Sequence, residues 1–274
     1  MNKKNMVNNS KRRRKGTSPV FTFIVTFAIF TGLALILLQF TKKDDALTST
    51  EKFVPHDQGE GELKTPDTPP VRVPEINKIL ENPKIIKYQG NTDTHYTDEL
   101  RAFLEIKNYP QFKEPIYQHT DNKFYLNHAG NKEPHFKGTA FMDYRVRLNS
   151  RKILIYAHNA KSLNMPFSIF ENYRYKEFYD AFPVFKLRTN NGVKEYQIFS
   201  IYVDTSSFDY MRIDFKNEGD YYKHLLMHKK RSMYDTGVKV KPKDSVLVIQ
   251  TCEEDPSLAN VKHKYLVIMA KRIR

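Results

Sequence analysis

The chain has one cysteine in 274 residues, Cys252. A lone thiol forms no internal disulfide. It also builds no cysteine-rich zinc site, which needs several thiolates at close spacing. No internal repeat is visible, and no acid cluster has the spacing of an EF-hand calcium loop. Residues 1–15 contain no acid, and residues 16–41 contain no charge at all. The scarcity of thiols leaves Cys252 three roles: inert core residue, intermolecular crosslink, or nucleophile.

What is present begins with charge. The formal net charge is +14, and half of it lies in Lys3, Lys4, Lys11, Arg12, Arg13, Arg14 and Lys15. A basic chain invites a nucleic-acid reading, but the next segment argues against it. Residues 19–40 are dominated by Phe, Ile, Val, Leu and Ala. At about 1.5 Å rise per residue such a run spans roughly 33 Å, enough for a bilayer core. The stronger basic cluster precedes the run, which predicts a cytoplasmic N-terminus and an outward-facing remainder. A cleaved signal peptide is the alternative. The run is longer than the usual apolar region of such peptides, and Leu37-Leu38-Gln39-Phe40 offers no small-x-small cleavage site. The expected organisation is a basic cytoplasmic tail (1–15), a transmembrane signal-anchor (16–41), an extracellular tether (42–75) and one domain (76–274). Pro55, Pro66, Pro69, Pro70 and Pro74 break regular structure in the tether.

Within the domain, 75–86 and 98–106 read as short amphipathic helices. In the second, Leu100, Phe103, Leu104 and Ile106 have helical spacing. Strands are expected at 124–126, 138–142, 152–156, 184–188, 195–203, 245–251 and 265–272, where β-branched and aromatic residues concentrate. Asn190-Asn191-Gly192 signals a hairpin, and 220–230 reads as a helix inserted before 245–251. So few helices between strands fit a mixed or mainly antiparallel barrel better than a doubly wound sheet.

A cysteine nucleophile needs a proton-managing partner, usually histidine. His158 ends the apolar run Ile153-Leu154-Ile155-Tyr156-Ala157, and Cys252 ends Val246-Leu247-Val248-Ile249-Gln250-Thr251. Two strand ends can bring distant residues to one barrel mouth. His224 and His228 share a helix face, but His224-Leu225-Leu226-Met227-His228 lacks the glutamate of a zinc-peptidase motif. A partly exposed helix face is the expectation there. His119, His128 and His135 are expected to be solvated. Glu253, Glu254 and Asp255 are expected to be loop residues directed to solvent.

Several stretches together resemble one family. Tyr156-Ala157-His158-Asn159 is similar to a Tyr-Gly-His-Asn segment, and Gln250-Thr251-Cys252 to the end of Thr-Leu-Ser-Thr-Cys. Asp235-Thr236-Gly237-Val238 precedes the cysteine strand, and Asp121-Asn122-Lys123-Phe124-Tyr125-Leu126-Asn127-His128 leads into the barrel. These resemble the class B sortases, the membrane-anchored cysteine transpeptidases of Gram-positive bacteria. The resemblance covers about 76–274. It implies a mainly β fold with peripheral helices (α+β): a sortase-like barrel with N-terminal helices and a helix inserted before the cysteine strand.

It also implies Cys252 as nucleophile, His158 as acid–base and Thr251 as a substrate contact. The implied substrates are secreted proteins with a C-terminal sorting signal. The implied acceptor is an amine, of a peptidoglycan precursor or of a pilin lysine. No organic cofactor, metal or nucleic acid is implied. The family has an arginine at the start of the last strand, where this chain has Tyr265, with Lys264 one position away. Either residue is a candidate replacement. The alternative function is a sortase-like protein that binds sorting signals or pilins without cleaving them.

Overall fold

The computed structural model describes residues 73–90, 96–160, 163, 165–252 and 256–274. The basic tail, the proposed anchor and the tether up to residue 72 lie outside the described residues, as do Glu253, Glu254 and Asp255. Among the described residues, no helix is long and apolar enough to cross a membrane.

Two apolar runs make the centre of the sheet. β4 (Lys152–Tyr156) and β7 (Val246–Cys252) lie parallel, from Lys152↔Val246 to Tyr156↔Gln250. Both are buried almost throughout, which is why their sequences run apolar rather than alternating. β8 (Tyr265–Arg272) pairs antiparallel with β7 and, on its other side, with β6 (Gly192–Asp204). β5 (Val184–Thr189) joins β6 through the two-residue loop Asn190-Asn191, with Gly192 at φ 110°. The hairpin signal thus marks a real turn. β1 (Leu100–Ile106), β2 (Tyr109–Tyr117) and β3 (Phe141–Met142) complete a closed barrel in the order β1-β2-β3-β4-β7-β8-β6-β5. Closure removes the open sheet edges at which chains pair with one another.

The expected helix at 98–106 is strand β1. Leu100, Ala102, Leu104 and Ile106 also alternate, and all four are buried. The run satisfies both periodicities, and burial between β2 and β5 selects the strand. β2 is hidden in the sequence by Pro110 and Pro115. It tolerates them because it ladders with β1 on one side and meets β3 on the other only at Tyr117↔Phe141. The expected strand 124–126 is a 3-10 turn, Phe124–Leu126, entered through Asp121, whose Oδ1 accepts from the N–H groups of Lys123 and Phe124.

Helix α1 (Val73–Glu81) stops earlier than expected, at Asn82-Pro83. A short helix α2 spans Lys176–Ala181. Helix α3 (Glu218–Lys230) begins where Asn217 Oδ1 accepts from the Asp220 N–H at 2.9 Å.

α3 also overturns the expected exposure of its histidines. His224 is 4% and His228 0% exposed. Lys152 Nζ lies 2.9 Å from His224 Nε2, and Tyr202 Oη lies 2.7 Å from His228 Nδ1. The helix packs these polar groups onto β4 and β6.

Candidate active site

The parallel β4–β7 ladder places the sequence-predicted pair. Tyr156 faces Gln250, and the last backbone bond runs from Ala157 N–H to Gln250 O at 3.4 Å. His158 lies two residues beyond Tyr156, and Cys252 two beyond Gln250. Parallel strands advance equally, so the two residues emerge at the same level on neighbouring strands. Side chains continue the ladder where the backbone stops. Thr251 Oγ1 donates to Ala157 O at 2.9 Å, and Asn159 Nδ2 donates to Cys252 O at 3.0 Å.

His158 is half-buried, and its Nε2 lies 2.8 Å from Leu126 O. A carbonyl oxygen only accepts, so Nε2 carries a proton and Nδ1 is the nitrogen left for proton transfer. The turn bearing Leu126 is held from several sides. His128 Nδ1 donates to Phe124 O at 2.8 Å, and Tyr125 Oη donates to Glu99 Oε2 at 2.6 Å. Glu99 also meets His119 at 3.0 Å and Lys132 at 3.1 Å. Burial by itself would raise the Glu99 carboxyl, but the hydrogen bonds from Tyr125, Lys132 and His119 hold it below its ordinary value. His119 and His128 are therefore partnered groups behind the site, in contrast to the solvated positions expected; His135 is exposed.

Cys252 is half-buried at the end of β7, in register with Tyr265 on β8. Burial, and then the neighbouring Cys252, raise the Tyr265 phenol above its ordinary value. Tyr210, buried on the turn Asp209–Met211, is raised by burial first and further by Tyr265, Asp204 and Cys252. Both phenols thus remain protonated O–H donors beside the thiol at neutral pH. The Tyr265 ring packs on Phe208 at 5.7 Å between centroids. Lys264 Nζ donates to Leu258 O at 2.7 Å, which holds its ammonium on the turn Pro256–Leu258. Thr251 is buried with its hydroxyl committed to Ala157 O. Asp204, in register with Tyr265, pairs with Arg231 at 3.1 Å. Among the described residues, no group of three or more His, Cys, Asp or Glu is placed to hold a metal.

No protein-family profile matches the chain. Sortase B of Staphylococcus aureus is 32% identical over 162 residues, covering 58% of this chain and 65% of that protein. Sortase B of Listeria monocytogenes is 33% identical over 143 residues, covering 52% of this chain and 58% of that protein. The matches thus span less than two thirds of either relative. The solved Staphylococcus aureus sortase B–substrate complex superposes with a TM-score of 0.58 at 28% identity, over 65% of this chain and 81% of that one. Over these spans the chain is similar to the class B sortases. Its eight-stranded barrel with few helices is the sortase barrel that the motifs imply.

Within this sortase barrel, the sequence motifs identify Cys252, His158 and the Tyr265 position, and the strand register brings all three to one end of three adjacent strands. They do not reveal the roles of Asn159, Tyr210 or the Leu126 carbonyl. Asn159 stands beside His158 in the Tyr156–Asn159 motif, which is the one signal for it. Tyr210 and Leu126 reach the site through turns that carry no motif of their own.

Proposed function

We propose that the protein is a cysteine transpeptidase that cleaves a C-terminal sorting signal and passes the acyl group to an amine. The observation that carries this reading is the shared level of Cys252 and His158, bridged by the Thr251 and Asn159 hydrogen bonds. The Cys252 thiolate attacks the carbonyl carbon of the scissile peptide bond. The C–N bond breaks, the leaving amine takes a proton from His158, and a thioester remains on Sγ. An incoming amine attacks the thioester and gives a proton to His158. The C–S bond then breaks and returns the thiolate. Tyr265, beside Cys252, is the proposed donor to the developing oxyanion.

The relatives support the substrate class. Staphylococcus aureus sortase B is solved as a complex with substrate, and a sortase B is solved as a complex with triglycine. The triglycine complex supports an N-terminal amine of a wall-precursor peptide as acceptor, in preference to a pilin lysine. Residues 16–41 anchor the chain in the cell membrane with its N-terminus in the cytoplasm, and the tether presents the barrel outside to membrane-held substrates.

The test uses the full-length protein with a library of fluorogenic sorting peptides and hydroxylamine. Release of the C-terminal remnant with hydroxamate formation is expected for wild type, and neither for Cys252→Ala. Peptide binding without cleavage by wild type would overturn the reading in favour of a non-catalytic binding protein.

A further inference from the structure

We propose that Asn159 is a positioning residue that sets the spacing of His158 and Cys252, with Glu171 fixing the orientation of its amide. The inference rests on the proposed roles of those two residues. Asn159 is 6% and Glu171 2% exposed. Asn159 Nδ2 donates to Glu171 Oε1 at 2.7 Å and to Cys252 O at 3.0 Å. An amide nitrogen has two protons, and each has one acceptor here. A carboxylate offers no donor, so Glu171 forces the nitrogen, not the oxygen, to face it. That choice places the second N–H on the carbonyl of the nucleophile residue.

Glu171 is itself set in a stiff base. It belongs to the 3-10 segment Ser168–Arg174, and its Oε2 accepts from Arg174 Nε at 2.8 Å. Phe167 and Phe170 of the same stretch pack edge to face at 4.6 Å, both fully buried. The Cys252 carbonyl is thus anchored through Asn159 to the hydrophobic core. This matters because Cys252 is the last residue of β7, and strand ends open most easily. On the β4 side the backbone ladder has ended before this point, so the amide takes over its role there. Thr251 secures the opposite direction, from the cysteine strand to Ala157 beside His158. An error of about 1 Å between reacting groups costs on the order of 100-fold in rate.

The test compares Asn159→Ala with the double variant Asn159→Asp/Glu171→Gln in the full-length protein. The double variant preserves a hydrogen bond between positions 159 and 171, because the glutamine amide donates to the aspartate. It also turns an acceptor oxygen toward the Cys252 carbonyl. Three quantities are read: the kcat and KM of peptide transfer, the pH profile of Cys252 alkylation by iodoacetamide, and Tm. Both variants are expected to lose about 30- to 100-fold in kcat with KM within about twofold. Their alkylation profile is expected to differ from that of wild type. The double variant is expected to keep more of the wild-type Tm than Asn159→Ala, because the bond between 159 and 171 survives, and this separates positioning from folding and decides the matter if Asn159→Ala does not fold. Wild-type kcat and alkylation profile in a folded double variant would overturn the inference. A wild type that transfers no peptide, yet whose alkylation profile shifts in the variants, would overturn the proposed activity and leave the positioning role standing.

Discussion

Cys252 and Tyr265 are register partners across the β7–β8 ladder, so the tyrosine stands opposite the cysteine at the end of its strand. Lys264, one residue earlier, donates from Nζ to Leu258 O. The two candidates for the third catalytic position are therefore separated by geometry. A neutral phenol lacks the planar fork of a guanidinium, but it supplies one O–H at this position.

Tyr265→Phe removes that donor and keeps the ring on Phe208. A loss of about 100-fold in kcat is expected, the usual cost of one oxyanion donor. Lys264→Ala is expected to cost much less, under about threefold, because its ammonium is held on the Leu258 carbonyl. Steady-state kinetics with a cleaved peptide checks both. An unchanged rate in Tyr265→Phe would move the donor role to another group, with Tyr210 the next to replace.

Gly138 stands behind the Leu126 carbonyl that meets His158. Its φ is +58°, and a Cβ there would collide with Tyr125 O and meet Leu126 O at 2.7 Å. The latter oxygen is the one that accepts from His158 Nε2. Gly138→Ala is expected to destabilise the fold by about 1–3 kcal/mol through backbone strain. It is also expected to lower kcat and to disturb the Nε2-protonated state of His158. Thermal denaturation and nitrogen chemical shifts of the imidazole test the two effects separately. Retention of the wild-type shifts would show that Leu126 does not govern the tautomer.

The cluster under α3 predicts an acid-sensitive fold. Desolvation, then the neighbouring Lys152, lower His224 to about 2; desolvation and the same lysine lower His228 to about 3. Burial, then Arg212 and Arg145, lower Lys152 to about 7. Arg212 pairs with Asp220 and Arg231 with Asp204 at the rim, and Asp209 opposes the lowering of Lys152 without cancelling it. Below about pH 6.5 the unfolded histidines take up protons that the folded ones refuse, so stability falls with pH. Each histidine adds a slope of up to about 1.4 kcal/mol per pH unit. For Lys152 the same logic makes stability rise from about pH 7 toward the unfolded lysine value of about 10. Denaturant melts between about pH 7 and 4 should steepen accordingly. The slope should lessen in His224→Gln, which keeps an acceptor for Lys152 and does not titrate. An unchanged slope would place the acid sensitivity elsewhere.

Thr251→Val keeps the side-chain shape and removes the hydroxyl that bonds Ala157 O. The buried carbonyl then loses this donor, at a cost of about 1–3 kcal/mol. A fall in Tm with a parallel loss of kcat is expected, since this bond lies beside His158. Equal Tm in the two proteins would mean that water or another donor satisfies Ala157.

Much of the barrel was legible in the chain. β4 and β8 lie where their apolar runs predict, and β5, β6 and β7 differ from expectation by a few residues at their ends. Their signal is strong because buried strands in the middle of a sheet must be apolar on both faces. β1 was not legible, because Leu100–Ile106 satisfies a helical and an alternating pattern together. β2 was concealed by prolines that its weakly paired side accommodates. His224 and His228 read as a polar helix face, and only the packing of α3 on the sheet shows them buried.

The candidate site divides in the same way. The sequence by itself singled out Cys252 and His158, through one cysteine in the whole chain and two apolar runs that end in these residues. The resemblance also pointed to Tyr265 and Lys264 as candidates for the position of the family's arginine. Tertiary structure alone decided that the two runs lie parallel in one register, that Leu126 O holds His158, and that Asn159 reaches the carbonyl of Cys252, 93 residues away. The physical reason is one of range. Side-chain periodicity records whether a residue is buried, and it is written locally. Which buried or polar group lies opposite another depends on barrel closure, and closure is settled only when all eight strands pack together.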